Sequence, residues 1–332
     1  MPRTLQLHLG LSGAFCAGRW EQPQNWIRLT SELGYSCHEL NTDVLDPFFS
    51  GDRHFQLSQA REARKATEEY DVVVSDVYAG LAPRLFHGIS HADPIPRQKM
   101  IEWIVTCMDL AREVGTNRIA GHWDSISAEV LESGEHGYKQ AVKRLIELLR
   151  DLAQIGRDKG LASIAQDQGC VPSCVPWTLK QAEEFLIECN RKNSGCPIRL
   201  SLNLGQMAGM HHGLHGKDLD YREWLRALGP FAEVIRLQQT TPEACRFWPF
   251  TEEYNQQGHL RLDAIIESLV QAHEHFADSW VSEVLEPTDV HWLIVDVRPD
   301  PLTPSEVLLD QLRESAEYCK QGLPDGRLEL GF

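Results

Sequence analysis

No stretch of the 332-residue chain approaches the ~18 consecutive apolar residues of a membrane-spanning helix. The segment Met1-Pro2-Arg3-Thr4-Leu5 also lacks the apolar run of a secretory signal, so a cytoplasmic protein with no membrane partner is expected. Positive charge is scarce: 32 Lys and Arg stand against 48 Asp and Glu, a formal net charge of −16. That average field repels a polyanion, and nucleic acid is not expected as a partner. The nine cysteines are odd in number and follow no framework spacing, which reads as reduced thiols in a reducing compartment. Ser/Gly linkers, charge blocks and low-complexity segments are missing, so residues 1–332 are expected to form one domain. Disorder is excluded by the 42% hydrophobic content, which is enough for a full core.

What is present is alternation. Short apolar runs at Leu5–Leu11, Ser36–Leu40, Asp71–Val77, Arg118–His122, Leu161–Ala165, Ile198–Leu204, Val234–Leu237 and His291–Val297 read as strands. Between them lie segments of helical period at Gln22–Leu33, Phe55–Glu69, Pro96–Val114, Tyr138–Lys159, Leu179–Arg191, Tyr221–Leu228, Leu262–Phe276 and Pro304–Lys320. In Tyr138–Lys159, residues Val142, Leu145, Ile146, Leu149 and Leu152 recur at threes and fours, as one buried helical face requires. Eight strand-helix units suit a (β/α)8 barrel, whose parallel strands are buried on both sides. A doubly wound open sheet is the alternative; against it, Gly10, Gly13 and Gly18 do not make the G-x-G-x-x-G spacing after the first strand.

In a barrel, chemistry comes from the carboxyl ends of the strands. That rule selects Phe15 to Trp20, Asn41-Thr42-Asp43 with Asp46-Pro47, Gly121-His122-Trp123, Gln166-Asp167-Gln168, Asn203-Leu204-Gly205-Gln206, Arg236-Leu237-Gln238-Gln239 and Asp296-Val297-Arg298. Polar residues at a strand end also arise from simple exit into solvent, so the convergence of the set outweighs any member.

Several motifs recur in a fixed order from residue 10 to about 320. They are Arg19-Trp20 with Pro23 and Trp26, Leu45-Asp46-Pro47, Ala79-Gly80-Leu81-Ala82, Gly121-His122, and Val171-Pro172 with Pro176-Trp177-Thr178. Leu237-Gln238-Gln239-Thr240 follows, then Trp248-Pro249-Phe250-Thr251 with Glu253-Tyr254-Asn255. The ordered set resembles the xylose isomerase-like TIM-barrel superfamily of sugar isomerases and epimerases, and within it the erythrulose-phosphate 3-epimerase group. The resemblance implies a small sugar, sugar phosphate or polyol acid as ligand, and assembly into dimers or tetramers. It also implies a divalent metal (Mn, Mg or Zn) held by Glu, Asp, His and Glu at the ends of strands five to eight, the two Glu moving a proton beside the sugar carbonyl.

The flanking motifs align Asp167 with the first Glu, Asn203 with the Asp, Arg236 with the His and Asp296 with the second Glu. A His that contacts substrate three residues after the Asp becomes Gln206. Every ligand position is changed. A guanidinium stays protonated and has no free lone pair for a metal, and a neutral amide oxygen is a poor replacement for a carboxylate. The expectation is therefore a site without the metal. Three carboxylates and a divalent ion leave one net negative charge, and two carboxylates with one guanidinium leave the same. On this reading Arg236 takes the cation's place, clamped by Asp167 and Asp296; the bland reading is drift, with Arg236 in an ordinary salt bridge.

The functional expectation is proton transfer beside a carbonyl, giving isomerisation, epimerisation or elimination. Asp167 and Asp296 are the acid/base pair and Arg236 the stabiliser of the enediolate. Gln206, Asn203, Gln238 and His122 orient hydroxyls, with a satisfied core histidine as the alternative for His122. Arg19, Trp20 and Trp248 are read as a wall and anion clamp, or else as packing. The alternative function is a non-catalytic sugar-binding or partner subunit. A DNA repair endonuclease on this fold would need a His-rich multi-zinc site and a basic face, and neither is visible. His211-His212-Gly213-Leu214-His215 reads as a solvated loop, as does Glu132-Ser133-Gly134-Glu135-His136; Cys170 and Cys174 lack partners at finger spacing.

Overall fold

The computed structural model describes residues 3–85 and 88–332. Eight parallel strands close into a barrel: β1 (Thr4–Ser12), β2 (Cys37–Asn41), β3 (Val73–Tyr78), β4 (Arg118–Gly121), β5 (Ser163–Asp167), β6 (Ile198–Asn203), β7 (Ala232–Leu237) and, after an intervening hairpin, β10 (Val290–Val295). Closure is made by β1 against β10, in register from Gln6 opposite Val290 to Leu11 opposite Val295. All eight coincide with the strands read from the sequence to within a few residues. The reason is that strands buried on both sides must be apolar almost throughout.

Alternation along each strand divides the interior in two. Leu5, Leu7, Leu9 and Leu11 of β1 face outward into the core shared with the helices. Cys37, Tyr78, Ala120, Ala165, Val234 and Ile294 form a separate small cluster inside the barrel. Space there is tight. A Cβ on Gly10 would fall 2.5 Å from Ile294 Cδ1, so only glycine lets β1 and β10 approach.

The outer layer is α1 (Pro23–Glu32), α2 (Arg53–Tyr70), α3 (Ala82–Leu85), α4 (Pro94–Val114), α5 (Ala128–Glu132), α6 (Glu135–Asp158), α7 (Leu179–Arg191), α8 (Tyr221–Leu228), α9 (Glu252–Gln257), α10 (Leu262–Glu274) and α11 (Ser305–Lys320). Helix starts follow local chemistry: Asp52 Oδ1 accepts from Phe55 N at 2.8 Å to open α2, and Asp93 Oδ1 from Ile95 N at 2.8 Å to open α4. The segment Glu132–His136 corrects its expectation as a loop. Only Ser133-Gly134 separates α5 from α6, with Gly134 at φ 83 turning one helix into the other. Both helix ends there are exposed and polar, which erases the apolar periodicity. His211 to His215 does form short exposed turns, as expected.

Two strand additions were not read from the sequence. β8 (Gln239–Thr241) and β9 (Ala244–Trp248) form a hairpin directly after β7, and β11 (Arg327–Gly331) runs antiparallel to the first half of β1, Thr4 opposite Gly331 and His8 opposite Arg327. β2 pairs only with the second half of β1, from Gly10 to Ser12. Among the described residues no helix is long and apolar enough to cross a membrane.

Three histidines away from the carboxyl-end polar cluster, His38, His273 and His291, are buried uncharged. His291 Nδ1 lies 2.7 Å from the Ala232 carbonyl and so donates to it, which leaves its Nε2 to accept from His273 Nε2 at 2.7 Å. A second proton on His291, at Nε2, would set two N–H groups face to face, and one on His273, at Nδ1, would be buried without an acceptor. Burial lowers His38 and His291 to about 3 and His273 to about 2. An unfolded histidine binds its proton near pH 6.5. Between that pH and about 3 the unfolded chain therefore holds protons that the fold refuses, and these groups lower stability as the pH falls. The contribution is roughly 1–2 kcal/mol per histidine between pH 7 and 5. Urea midpoints at the two pH values should show a smaller acid-induced drop in His38→Gln than in the parent chain; equal drops would show that His38 titrates normally in the fold.

Candidate active site at the barrel mouth

Inward-facing positions at the carboxyl ends of the strands carry an unusual density of charge. Ser12, Glu39, Asp76, Tyr78, His122, Asp167, Asn203, Arg236 and Asp296 are all buried. Arg236 on β7 is at the centre. Its Nε donates to Asp296 Oδ2 at 3.3 Å, with Nη2 3.0 Å from the same oxygen, and its Nη1 donates to Glu39 Oε2. Nη2 also donates to Ser12 Oγ at 3.3 Å, and Ser12 Oγ donates to Glu39 Oε1 at 2.7 Å. The Tyr78 ring lies under the guanidinium, 3.6 Å from Cζ to the ring centroid.

This corrects the expected clamp. Asp296 does hold Arg236, but the second carboxylate is Glu39 and not Asp167. The phenol of Tyr78 donates to Asp167 Oδ2 at 2.6 Å, and Arg84 Nη2 stands 3.6 Å from that oxygen. Tyr78 thus separates the two carboxylates, one face against the arginine and its hydroxyl on the aspartate.

Burial pushes the carboxyls of Glu39 and Asp76 up, against the pull of Arg236 on both. Burial acts the same way on Asp296, but Arg236 and Arg298 outweigh it and hold the group below the usual carboxylate range. His122 is lowered well below its ordinary value by burial and by Arg84, Arg236 and Arg298 together. It is a neutral imidazole at neutral pH, and neither ring nitrogen has a hydrogen-bond partner; Nε2 is 4.0 Å from Asp167 Oδ2. Asp167 Oδ1, Asp296 Oδ1 and Asn203 Nδ2 are likewise buried without hydrogen-bond partners, Asp296 Oδ1 lying 3.6 Å from Arg298 Nε.

The remaining expected contacts divide. Gln206 joins the site, its amide oxygen accepting from Arg84 Nη1 and Nη2 at 3.2 Å each in the orientation that satisfies both ends. Gln238 has a positioning role: its Nε2 donates to Asn203 Oδ1 at 2.9 Å and its Oε1 accepts from Phe247 N at 2.6 Å. A Cβ on Gly205 would fall 2.1 Å from Gln238 Cδ, which explains the glycine. Arg19 is held by the loop that follows the last barrel strand. Its Nη2 donates to the Thr303 carbonyl at 2.6 Å, and with Glu21 and Asp43 it lines a 340 Å³ cavity between the first two βα loops. Trp20 packs on Phe15 at 5.8 Å between ring centroids, and Trp248 stacks on Tyr254 at 4.9 Å.

Phe247 in the hairpin has φ 55, in the left-handed region that a bulky side chain avoids. The Gln238 bond to its N–H holds it there, and its ring lies 4.5 Å from Arg298 Cζ. Strain of this kind persists where surroundings dictate it, and it clusters at functional sites. Arg84, Arg298, Glu39 and Tyr78 are the residues that sequence reasoning missed or left without a role. Glu39 carries its own signal, because a carboxylate inside a doubly buried strand must have a partner.

The residues at the family's metal positions do not fit a divalent cation. Arg236 places a fixed positive charge there, and Asn203 Oδ1 already accepts from Gly205 N at 3.1 Å and from Gln238. Among the described residues, no group of three or more His, Cys, Asp or Glu side chains converges as metal ligands would.

The barrel, with its polar residues gathered at the carboxyl ends of the strands, defines a class that the comparisons make specific. The family model for the xylose isomerase-like TIM barrel matches residues 27–271, and the chain belongs to that family. No curated protein matches in sequence. Among solved structures the chain is similar to a Rhodospirillum rubrum protein provisionally assigned as a xylose isomerase, with 17% identity over 95% of this chain and 99% of that one at a TM-score of 0.78. A D-psicose 3-epimerase from Clostridium cellulolyticum is similar at 13% identity, 95% and 98% coverage and a TM-score of 0.66. So is a 3-keto-D-glucoside 4-epimerase from E. coli, at 15% identity, 92% and 97% coverage and a TM-score of 0.61.

Removing the central cation leaves Glu39 and Asp296 buried and uncompensated. Arg236→Met is expected to destabilise the protein by about 3–5 kcal/mol, and adding Glu39→Gln should recover part of the loss. Urea unfolding of the three proteins measures this; a single variant as stable as the parent would show that the ion pair adds nothing to the fold.

Proposed function

We propose that the protein is a sugar isomerase or epimerase that moves a proton beside a carbonyl without the family's divalent metal. The observation that carries the reading is the pair of buried carboxylate oxygens, Asp167 Oδ1 and Asp296 Oδ1, left without hydrogen-bond partners at the mouth of a barrel whose structural neighbours include sugar epimerases. One group, as the carboxylate, takes the proton from the carbon beside the carbonyl, and the other, protonated when the turnover begins, gives its proton to the opposite face or to the neighbouring carbon. Arg236 and Arg298 keep Asp296 ionised for this role. Neutral His122 and Asn203 Nδ2 orient hydroxyls, since the imidazole both donates and accepts.

Negative charge developing on the enediolate oxygen is offset by the fixed guanidiniums. Arg236 acts there through its field, because Nε, Nη1 and Nη2 are each engaged with Asp296, Glu39 or Ser12. Arg84 and Arg298 are the cations that face the mouth. Replacement at all four aligned metal positions also favours a second reading, a sugar-binding or partner subunit with no turnover.

Proton NMR in deuterated water separates the two, because exchange of the hydrogen beside the carbonyl reports the chemistry whatever the product. With tetrose and pentose phosphates, hexuloses and sugar acids as the panel, exchange is expected with at least one member and should survive dialysis against EDTA. Asp167→Asn and Asp296→Asn should each slow it by about a hundredfold or more. Full turnover in both variants refutes the acid/base assignment. Activity lost with EDTA and restored by one metal per chain refutes the metal-free part. Binding without exchange across the panel points to the subunit reading.

A further inference from the structure

The mouth holds guanidinium nitrogens that its own acids do not hydrogen-bond. Arg298 follows the last barrel strand, and its Nε and Nη2, on one edge of the planar guanidinium, are both buried without hydrogen-bond partners. Asp296 Oδ1 is 3.6 Å from Nε, which is too far for a hydrogen bond. Arg84 Nε is also buried without a partner. Phe247, fixed by Gln238, supports the Arg298 guanidinium from one face and so aims its free edge.

We infer that this site takes a sugar acid, with the carboxylate received on the Nε–Nη2 edge of Arg298 and Arg84 supplying the second positive charge. A fork of two parallel N–H donors matches the two oxygens of a planar carboxylate. The acids already present decide between monoanion and dianion. Asp167 stands 3.6 Å from Arg84 and Asp296 3.6 Å from Arg298, so each cation is already partly balanced. A single added negative charge is accommodated, whereas the second charge of a phosphate would face the free oxygens of both aspartates. A chain of net charge −16 repels anions on average, and at the mouth Glu39, Asp76, Asp167 and Asp296 outnumber Arg84, Arg236 and Arg298, so an anion is held only where guanidinium N–H groups receive it directly. The role of the acid as substrate rests on the proton-transfer reading, but its binding does not.

Calorimetric titration with D-gluconate, D-glucuronate and D-galacturonate, against D-ribulose 5-phosphate and D-fructose, tests the inference. At least one acid is expected to bind more tightly than both controls. Arg298→Met should weaken that binding about ten- to hundredfold. Arg298→Lys, which keeps the charge but loses the fork, should lie between, with circular dichroism confirming that both variants fold. Tighter binding of the phosphate, equal binding of fructose, no binding of any acid, or an unchanged affinity in Arg298→Met overturns the inference. A uronate, which carries an aldehyde as well as its carboxylate, that binds through Arg298 without exchanging the hydrogen beside that aldehyde leaves this inference standing and removes the proton-transfer reading. A neutral ketose that exchanges with no preference for acids does the reverse.

Discussion

The barrel mouth is organised around one buried cation. Arg236 is fully enclosed, and a guanidinium in that position persists only if opposite charge and hydrogen-bond acceptors surround it. Glu39 and Asp296 supply the charge, Ser12 an acceptor and Tyr78 a π-face. These residues come from four strands, so the ion pairs also tie the first, second, third and last strands of the closed sheet to the seventh. The geometry of Asp296 is set from behind by the same contacts, and that of Asp167 by the Tyr78 hydroxyl.

Much of the fold was legible because its physics is local. A strand buried on both faces is apolar nearly throughout, and a helix resting on it shows threes and fours, so eight units could be counted from residue type alone. What escaped was short or amphipathic by other rules. The hairpin of Gln239–Thr241 and Ala244–Trp248 has too few residues to show a period. The closing strand Arg327–Gly331 alternates on a half-exposed edge, and α5 and α6 meet at a glycine with no apolar stripe to mark either end.

The candidate site was legible in outline only. The rule that barrel chemistry sits at strand ends brought Asp167, Asn203, Arg236, Asp296 and His122 to one place, and the contact between Arg236 and Asp296 follows from their charge. The identity of the second carboxylate did not follow. Glu39 and Asp167 are equally plausible by charge, and only three-dimensional packing inserts the Tyr78 ring between Arg236 and Asp167. Arg84 lies in a four-residue helix with no sequence signature, and Arg19, which has the better motif, turns toward the Thr303 carbonyl. Trp20 and Trp248 fit either a binding wall or packing by residue type, and the ring contacts they make are with Phe15 and Tyr254.

A positive charge carried on a side chain differs from a bound ion in one further respect. It has no dissociation constant, so its occupancy is complete from the moment the chain folds and does not follow the supply of any element in the cell. The ordering of affinities that lets copper or zinc displace manganese from oxygen and nitrogen ligands has no purchase on a guanidinium. The corresponding loss is adjustability: an arginine cannot be exchanged for a stronger Lewis acid, and its position changes only with the backbone that bears it.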